Sequence, residues 1–466
     1  MQESPLISLQ NASIAVGPKV LLPTITWHLN PGEHWVISGP CGSGKTIFAE
    51  FLANKHRLAE GSRNYSLYPS LPLSEQLKTG LRLISFTDTG DLFLNYRDIN
   101  YYQQRFNAFD AEGHLTMEEY FEKEREEIEK YRDLLEGMGI YHLLKVERIK
   151  LSSGQTRKML LAKVLMSQPK VLVLDNAYIG LDTLSRKVLN QVLDGLVHTR
   201  EISLILAGHH RELPQCINKC LYINKNHRVE ETPLEHPAPR SFPPIDSKKI
   251  ESIRTYFHSP SYLENCDEVI RMDQVHIQYG GKSILGPLDW RVKPGEKWAV
   301  YGPNGSGKST LFSLIYADNP QAYSQAIYLF GKRRGSGESI WDLKKQMGFS
   351  SPELHAYFRD NPIAQSLVLT GLTDTFFLQR NPTPDEVHLL KLLFEYFGLM
   401  PYKDTRFHQL STGIQRLLLF IRALIKVPPI LLLDEPFQGV DEELVEKCRY
   451  LLDHVLHERQ TLIFIS

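Results

Sequence analysis

Two copies of one eight-residue sequence, Gly39-Pro-Cys41-Gly42-Ser43-Gly44-Lys45-Thr46 and Gly302-Pro-Asn304-Gly305-Ser306-Gly307-Lys308-Ser309, lie 263 positions apart in a chain of 466 residues. Both fit G-x-x-x-x-G-K-[ST]. Glycines in this pattern let successive backbone N–H groups turn inward around phosphate oxygens, at the start of a helix whose N-terminal dipole favours negative charge. The pattern works only between a strand and a helix, so it restricts the fold twice over. Lys45 and Lys308 are placed to reach the β- and γ-phosphates of a nucleotide, Thr46 and Ser309 a Mg²⁺ ion held on it, and Thr310 continues the second loop.

The flanks repeat at the same offset. Val16-Gly17, Lys19, Trp27, Pro31-Gly32-Glu33 and Trp35 align without a gap on Tyr279-Gly280, Lys282, Trp290, Pro294-Gly295-Glu296 and Trp298. Self-similarity at so long a period implies two whole domains rather than a solenoid of short repeats. Each has the length to bury a core of its own. The expected division is a first domain over 1–230, a proline-rich linker over 231–264, with a semi-extended stretch from Glu230 to Ile250, and a second domain over 265–466.

Continuous apolar runs, Val171–Leu174 and Ile430–Leu433, each end in an aspartate, Asp175 and Asp434. Uninterrupted apolar strands are those covered on both faces, as in a parallel sheet between helices, so the class is α/β. The charge-dense stretch Tyr120–Gly137 reads as an exposed helix. Lys+Arg 53 against Asp+Glu 54 leaves a net charge of −1, which offers no global field for a nucleic-acid backbone, and nucleic acid is not expected as a partner. The basic run Lys332-Arg333-Arg334 reads as a solvated turn. No stretch approaches 18 apolar residues, and the N-terminal MQESPLISLQ has no signal-peptide pattern, so a cytoplasmic chain is expected. Five cysteines show neither a paired framework nor zinc-type spacing and read as free thiols.

Before each aspartate-ended strand stands a further paired element, Leu151-Ser152-Ser153-Gly154-Gln155 and Leu410-Ser411-Thr412-Gly413-Ile414. With the two phosphate loops, the aspartates and the Gly180-Leu-Asp182 and Gly439-Val-Asp441 turns, these resemble ABC-type ATPases over nearly the whole chain. The resemblance implies two tandem P-loop NTPase domains, each a mostly parallel sheet covered by helices with an antiparallel β subdomain and a helical subdomain. It also implies ATP and Mg²⁺ as ligands, with the metal near Thr46 and Asp175 and near Ser309 and Asp434. In that family two cassettes pack head to tail, each ATP lying between one P-loop and the other half's signature, here Ser152, Gly154 and Gln155 or Ser411 and Gly413. A Ser before a helix leaves N–H groups and a positive dipole end for a γ-phosphate. The stretch Phe330–Lys345, preceded by Asp318–Ser324, resembles the duplicated molybdenum-transport ATP-binding proteins (ModF type). That implies an importer's energising subunit, bound peripherally at the inner face of the membrane to separate permease subunits.

The resemblance also makes the two sites unequal. Tyr279 takes the place of an adenine-stacking aromatic, and Glu435 follows Asp434 where a carboxylate polarises the attacking water. On the other side Val16, Asn176 and Ile414 replace the aromatic, the glutamate and the signature glutamine. An amide takes no proton at neutral pH, so binding with feeble turnover is expected there. His209 matches the switch histidine beside the γ-phosphate, and Glu353 the metal-contacting Q-loop position. The second half stops at Ser466, one residue before its own histidine, which suggests a truncated product whose last strand leaves an exposed sheet edge. The apolar stretch Ala364–Gly371 is a candidate groove for a permease helix. Two other functions fit the residues less well: a soluble two-cassette ATPase acting on ribosome or nucleic acid, and a regulatory ATP-gated clamp.

Overall fold

The structure is a computed structural model. It describes residues 4–17, 19–86, 116–121, 128–129, 131, 132–146, 153–178, 181, 183–200, 202–208, 213–224, 226–234, 246–258, 267–279, 282–302, 306–351, 354, 358, 361–437 and 439–465. These fall into two compact units, one up to Pro239 and the other within Arg240–Ser466.

In chain order the first unit begins with β1 (Ile7–Val16), β2 (Lys19–Leu29), β3 (Trp35–Ser38), α1 (Lys45–Leu52), β4 (Arg57–Tyr65), α2 (Leu73–Gly80) and β5 (Leu81–Ser85). It continues with α3 (Met117–Tyr120), α4 (Arg132–Gly137), α5 (Ser153–Met166), β6 (Val171–Asp175), α6 (Thr183–Arg200), β7 (Ser203–Ala207), β8 (Lys219–Ile223) and β9 (Val229–Thr232). β1 pairs antiparallel with β2 and β4 in a three-stranded sheet. The main sheet runs β5-β6-β7-β3-β8-β9, parallel except for the antiparallel pair β8 and β9. Every residue of β6 and β7 is buried, as uninterrupted apolar strands require.

The second unit runs α7 (Ser247–Phe257), β10 (Ile270–Tyr279), β11 (Lys282–Val292), β12 (Lys297–Val300), α8 (Lys308–Ile315), β13 (Ala326–Leu329), β14 (Lys332–Arg333), α9 (Ile340–Lys344) and β15 (Met347–Ser350). Then follow α10 (Ala364–Leu369), α11 (Pro384–Phe397), α12 (Thr412–Leu424), β16 (Ile430–Asp434), α13 (Glu442–Val455) and β17 (Thr461–Ile465). Its antiparallel sheet is β11-β10-β13-β14 and its parallel sheet β12-β17-β16-β15. The two units thus share one plan: an antiparallel sheet, a parallel sheet carrying a P-loop helix, and a set of helices around the signature.

Five expectations need correction. The linker is not extended throughout, because Asp246 caps the N-terminus of α7 by accepting hydrogen bonds from Lys248 and Lys249 N–H, and Ile250, Ile253 and Phe257 enter the core of the second unit. Spacings of three and four put those side chains on one helical face. The stretch 120–137 is not one exposed helix: 122–127 and 130 lie outside the described residues, and Phe121, Tyr131 and Leu135 are buried in the first unit's core. Arg334 is no solvated turn residue. Its guanidinium is buried against Glu338 at 2.6 Å while Lys332 and Arg333 stay exposed. Nor does β17 form a sheet edge, since β12 and β16 flank it and Ile463 and Ile465 are fully buried. The apolar residues Ala364, Leu367, Val368 and Gly371, considered as a groove, are buried in the core instead.

Candidate nucleotide sites

In the first unit β3 leads into the phosphate loop and α1 leaves it. Gly44 takes a left-handed conformation, φ 103°, as the residue before α1, a turn that glycine makes without Cβ strain. Lys45 is buried, and its Nζ donates to the carbonyls of Gly39 and Pro40, each at 2.8 Å. Those bonds fold the side chain back along the loop, where an anion's oxygens can replace the carbonyls. Ser43 Oγ is buried without a partner, and Cys41 and Gly42 complete the turn.

The metal side is assembled by adjacent strands. Asp175 closes β6, and its carboxylate accepts from Thr46 Oγ1 at 3.1 Å to each oxygen, from Ser85 Oγ at 3.1 Å and from Asn176 Nδ2 at 3.0 Å. Burial pushes the Asp175 carboxyl up to about 6, with the three side-chain donors pulling the other way. Ser85 was not singled out in the sequence; it ends β5 opposite Asp175 in register, a pairing that only the sheet order reveals. A hydroxyl and a carboxylate are hard oxygen donors that fit Mg²⁺. Among the described residues no cluster of three or more His, Cys, Asp or Glu is poised for a metal. A Mg²⁺ ion here would take its other ligands from phosphate and water, as that ion commonly does.

The second unit repeats the arrangement. Gly307 precedes α8 at φ 90°, Lys308 Nζ donates to Gly302 O at 2.5 Å, and Ser309 Oγ lies 3.4 Å from Asp434 Oδ2. Ser306 is exposed at the mouth and Thr310 is buried in α8. Asn304 and Gly305 lie outside the described residues, as do Ser152, His209 and Glu353. Tyr279 is the last residue of β10 and pairs with Lys282, just as Val16 ends β1 opposite Lys19.

After each aspartate the backbone turns the same way. Asn176 has φ 56° and donates its N–H to Ala207 O, and Glu435 has φ 42° and donates to Ile465 O. Asparagine tolerates this left-handed region better than glutamate does, so the acid is held there at some conformational cost. The two halves thus offer one position with different chemistry: an amide already donating to Asp175, and a carboxylate able to accept a proton. The signature side is clearest at Ser411, which precedes α12. Its Oγ is buried, makes no cap bond and has no partner, while Gly413 sits in the first turn of the helix. Gln415, also unremarked in the sequence, supports this loop by donating to the carbonyls of Phe407 and Leu410 at 2.8 and 2.9 Å. In the first unit Gly154 and Gln155 occupy the first turn of α5.

Comparison with known proteins agrees with this geometry. The ABC transporter family model matches residues 22–178 and again 285–438. The ABC transporter ATP-binding protein ModF of Escherichia coli is 33% identical over 96% of this chain and 90% of its own length. An uncharacterised ABC transporter ATP-binding protein of Schizosaccharomyces pombe is 29% identical over 96% of this chain and 91% of its own. The putative HMP/thiamine import ATP-binding protein YkoD of Bacillus subtilis is 23% identical over 96% and 84%. Among solved structures, cbiO1 from Clostridium perfringens, part of the ABC transporter complex cbiONQ, is 22% identical over 49% of this chain and 88% of its own, with a TM-score of 0.38. Both aspartates and both signature helices, with the two phosphate loops, lie within the two family matches, and the chain belongs to the ABC transporter ATP-binding family, as a protein of two tandem cassettes.

Proposed function

We propose that the chain hydrolyses ATP to ADP and phosphate with Mg²⁺, and that closing and opening of its paired cassettes drives a separate membrane permease. Glu435 just after β16, one residue beyond the Asp434–Ser309 pair, is the observation that carries this reading. In this proposal Lys308 holds the β- and γ-phosphates, Ser309 and Asp434 hold the metal that neutralises phosphate charge, and Glu435 takes a proton from the attacking water. Ser152, Gly154 and Gln155 of the first signature are assigned to that ATP, and His209 to the γ-phosphate held at the first unit's own loop. In the second unit's site Glu353 contacts the metal, Asn304 and Gly305 complete the loop, and Tyr279 stacks on adenine. The other site, built from Gly39 to Thr46 with Asp175 and the second signature, binds ATP and turns it over slowly, because Asn176 cannot act as a base.

Relatives named as transporter ATP-binding proteins support the coupling to a permease. No described helix is long and apolar enough to cross a membrane, so a spanning path is assigned to another chain. Molybdate is the cargo that the ModF-type resemblance implies. Phosphate release from the full chain with MgATP tests the enzyme: removal of Mg²⁺ by chelation and Glu435→Gln should each abolish it. With Glu435→Gln holding ATP, a multi-span membrane protein should co-purify from solubilised membranes. Its absence, with the parent's turnover intact, would favour a soluble two-cassette ATPase over the transporter subunit, and its absence together with no turnover in the parent would favour the ATP-gated clamp.

A further inference from the structure

The second unit holds a buried polar knot that the nucleotide sites do not use. Asp374, in the turn after α10, receives Arg422 Nη2 at 3.0 Å on one oxygen, and the Tyr316 hydroxyl at 2.5 Å and Lys426 Nζ at 3.2 Å on the other. Arg422 also donates to Thr370 Oγ1 at 3.0 Å and to Thr375 O at 3.1 Å. Lys426 reaches the carbonyl of Lys344, whose own ammonium pairs with Asp318 at 2.7 Å and lies 4.3 Å above the Tyr316 ring. The side chains of Asp374 and Arg422 are each 2% exposed. Burial pushes the Asp374 carboxyl up, but Lys426 and Arg422 more than offset it and hold the group below its ordinary value.

Position gives the knot its meaning. Tyr316 immediately follows α8, whose first residues are Lys308 and Ser309, and Arg422 lies near the far end of α12, which Ser411 precedes. One carboxylate therefore ties together the distal ends of two helices whose near ends carry a phosphate lysine and a signature serine. At about 1.5 Å rise per residue, α12 spans roughly 20 Å, so a small tilt at the knot moves Ser411 by a good part of an ångström. Buried ion pairs are poor sources of stability, because desolvation offsets their attraction, and their directional bonds specify an arrangement instead. The first unit has Ala53, Lys55, Lys163 and Ser167 at the positions matching Tyr316, Asp318, Arg422 and Lys426, and cannot build the same knot.

We propose that Asp374, with Tyr316 and Arg422 as its partners, is a positioning residue that sets the angle between α8 and α12, and so where Ser411 stands relative to Lys308 during turnover. The inference rests on the proposed ATPase reading for its effect on rate, but not for its effect on geometry. Tyr316→Phe removes one hydrogen bond and leaves the charges paired. The triple variant Asp374→Leu, Arg422→Met, Lys426→Met keeps the volume apolar and deletes every directional bond made by those three side chains. Spin labels on an encoded ketone residue at position 297, on β12 just ahead of the loop that opens α8, and at position 391, on α11, which packs on α12 through Phe397 and Phe420, report on the relative placement of the two helices in the full chain without engaging the native cysteines.

A narrow distance distribution in the parent should broaden in both variants, more in the triple. Tyr316→Phe should lower kcat about 3- to 10-fold, the worth of one buried hydrogen bond, with KM for ATP within about twofold and the melting temperature lowered by only a few degrees, so that the variant stays folded at the assay temperature. Unbroadened distributions, or Tyr316→Phe at the parental kcat, would overturn the proposal. So would a loss of rate that merely follows the folded fraction. If the parent itself released no phosphate, the ATPase reading would fail while the label distances still decided the knot; if the triple variant did not fold, Tyr316→Phe alone would decide it.

Discussion

The two cassettes carry the same loop on different supports. In the first, β3 is hydrogen-bonded to β7 on one side and β8 on the other, Lys45 is bonded to two loop carbonyls, and Asp175 collects three side-chain donors. In the second, among the described residues, β12 has only β17 beside it, Lys308 is bonded to Gly302 O, and Ser309 stands at the edge of hydrogen-bond range from Asp434. The first half carries the amide Asn176 after its aspartate, and the second carries the acid Glu435. The difference that matters sits at one position: the same left-handed backbone turn carries a group that donates to its aspartate in one half and a group that can accept a proton in the other.

The support itself is the first thing to break. Trp35 on β3 is 2% exposed and packs edge-on against Trp27, which meets Phe48 of α1 in turn, whereas the matching Trp298 on β12 is 39% exposed and touches Trp290. Trp35→Ala should cost about 3–5 kcal/mol, as truncation of a buried aromatic does. Trp298→Ala should cost about 1 kcal/mol, because water already covers much of the ring. Denaturant unfolding of each variant checks the contrast. Equal losses would mean that β12 is as well covered as β3.

A chemical contrast comes next. Glu435→Gln should lower kcat about 100-fold or more, the usual worth of a positioned general base, and leave ATP binding in place. Asn176→Ala should leave total turnover within about twofold, since an amide supplies no proton acceptor there. Single-turnover phosphate release measures both. A large loss from Asn176→Ala would show that the first half contributes catalysis and would remove the distinction between the sites.

Much of this was legible in the chain. The two phosphate loops, the helices leaving them and the buried strands ending at Asp175 and Asp434 all follow from local pattern, because glycine turns and apolar runs are physical requirements of their own segments. α7 was legible too, yet hidden by its neighbours: Asp246 followed by Ile250, Ile253 and Phe257 is a capped amphipathic helix, but five prolines just upstream made the segment read as extended. Arg334 was lost within a run of three basic residues, although its partner Glu338 lies four positions on. Ser85 and the Asp374 knot were beyond reach, since each depends on partners brought together by sheet order or, for the knot, by loops some 50 residues apart, whereas Gln415 bonds carbonyls only five and eight residues upstream and was hidden by the irregular turn between them. His209, Ser152 and Glu353 rest on motif correspondence alone and lie outside the described residues.

The smallest contrast lies in the first glycine of each loop. Gly39 has φ 148°, and a Cβ built there would stand 2.1 Å from the carbonyl oxygen of Ile223, the last residue of β8. Neither backbone can yield without parting β8 from β3. At Gly302 the nearest obstacle is the Ser306 hydroxyl at 2.6 Å, a group that relieves the clash by rotating, and Gly302 is not among the residues with positive φ. Gly39→Ala should therefore lower stability by about 2 kcal/mol through strain and displaced backbone, and Gly302→Ala by less than about 1 kcal/mol. Melting curves of the two variants without nucleotide make the measurement, so that altered ATP affinity does not enter. If Gly302→Ala proved the more damaging, some backbone would have to crowd its loop as closely as β8 crowds the first, and the difference in support between the cassettes would disappear.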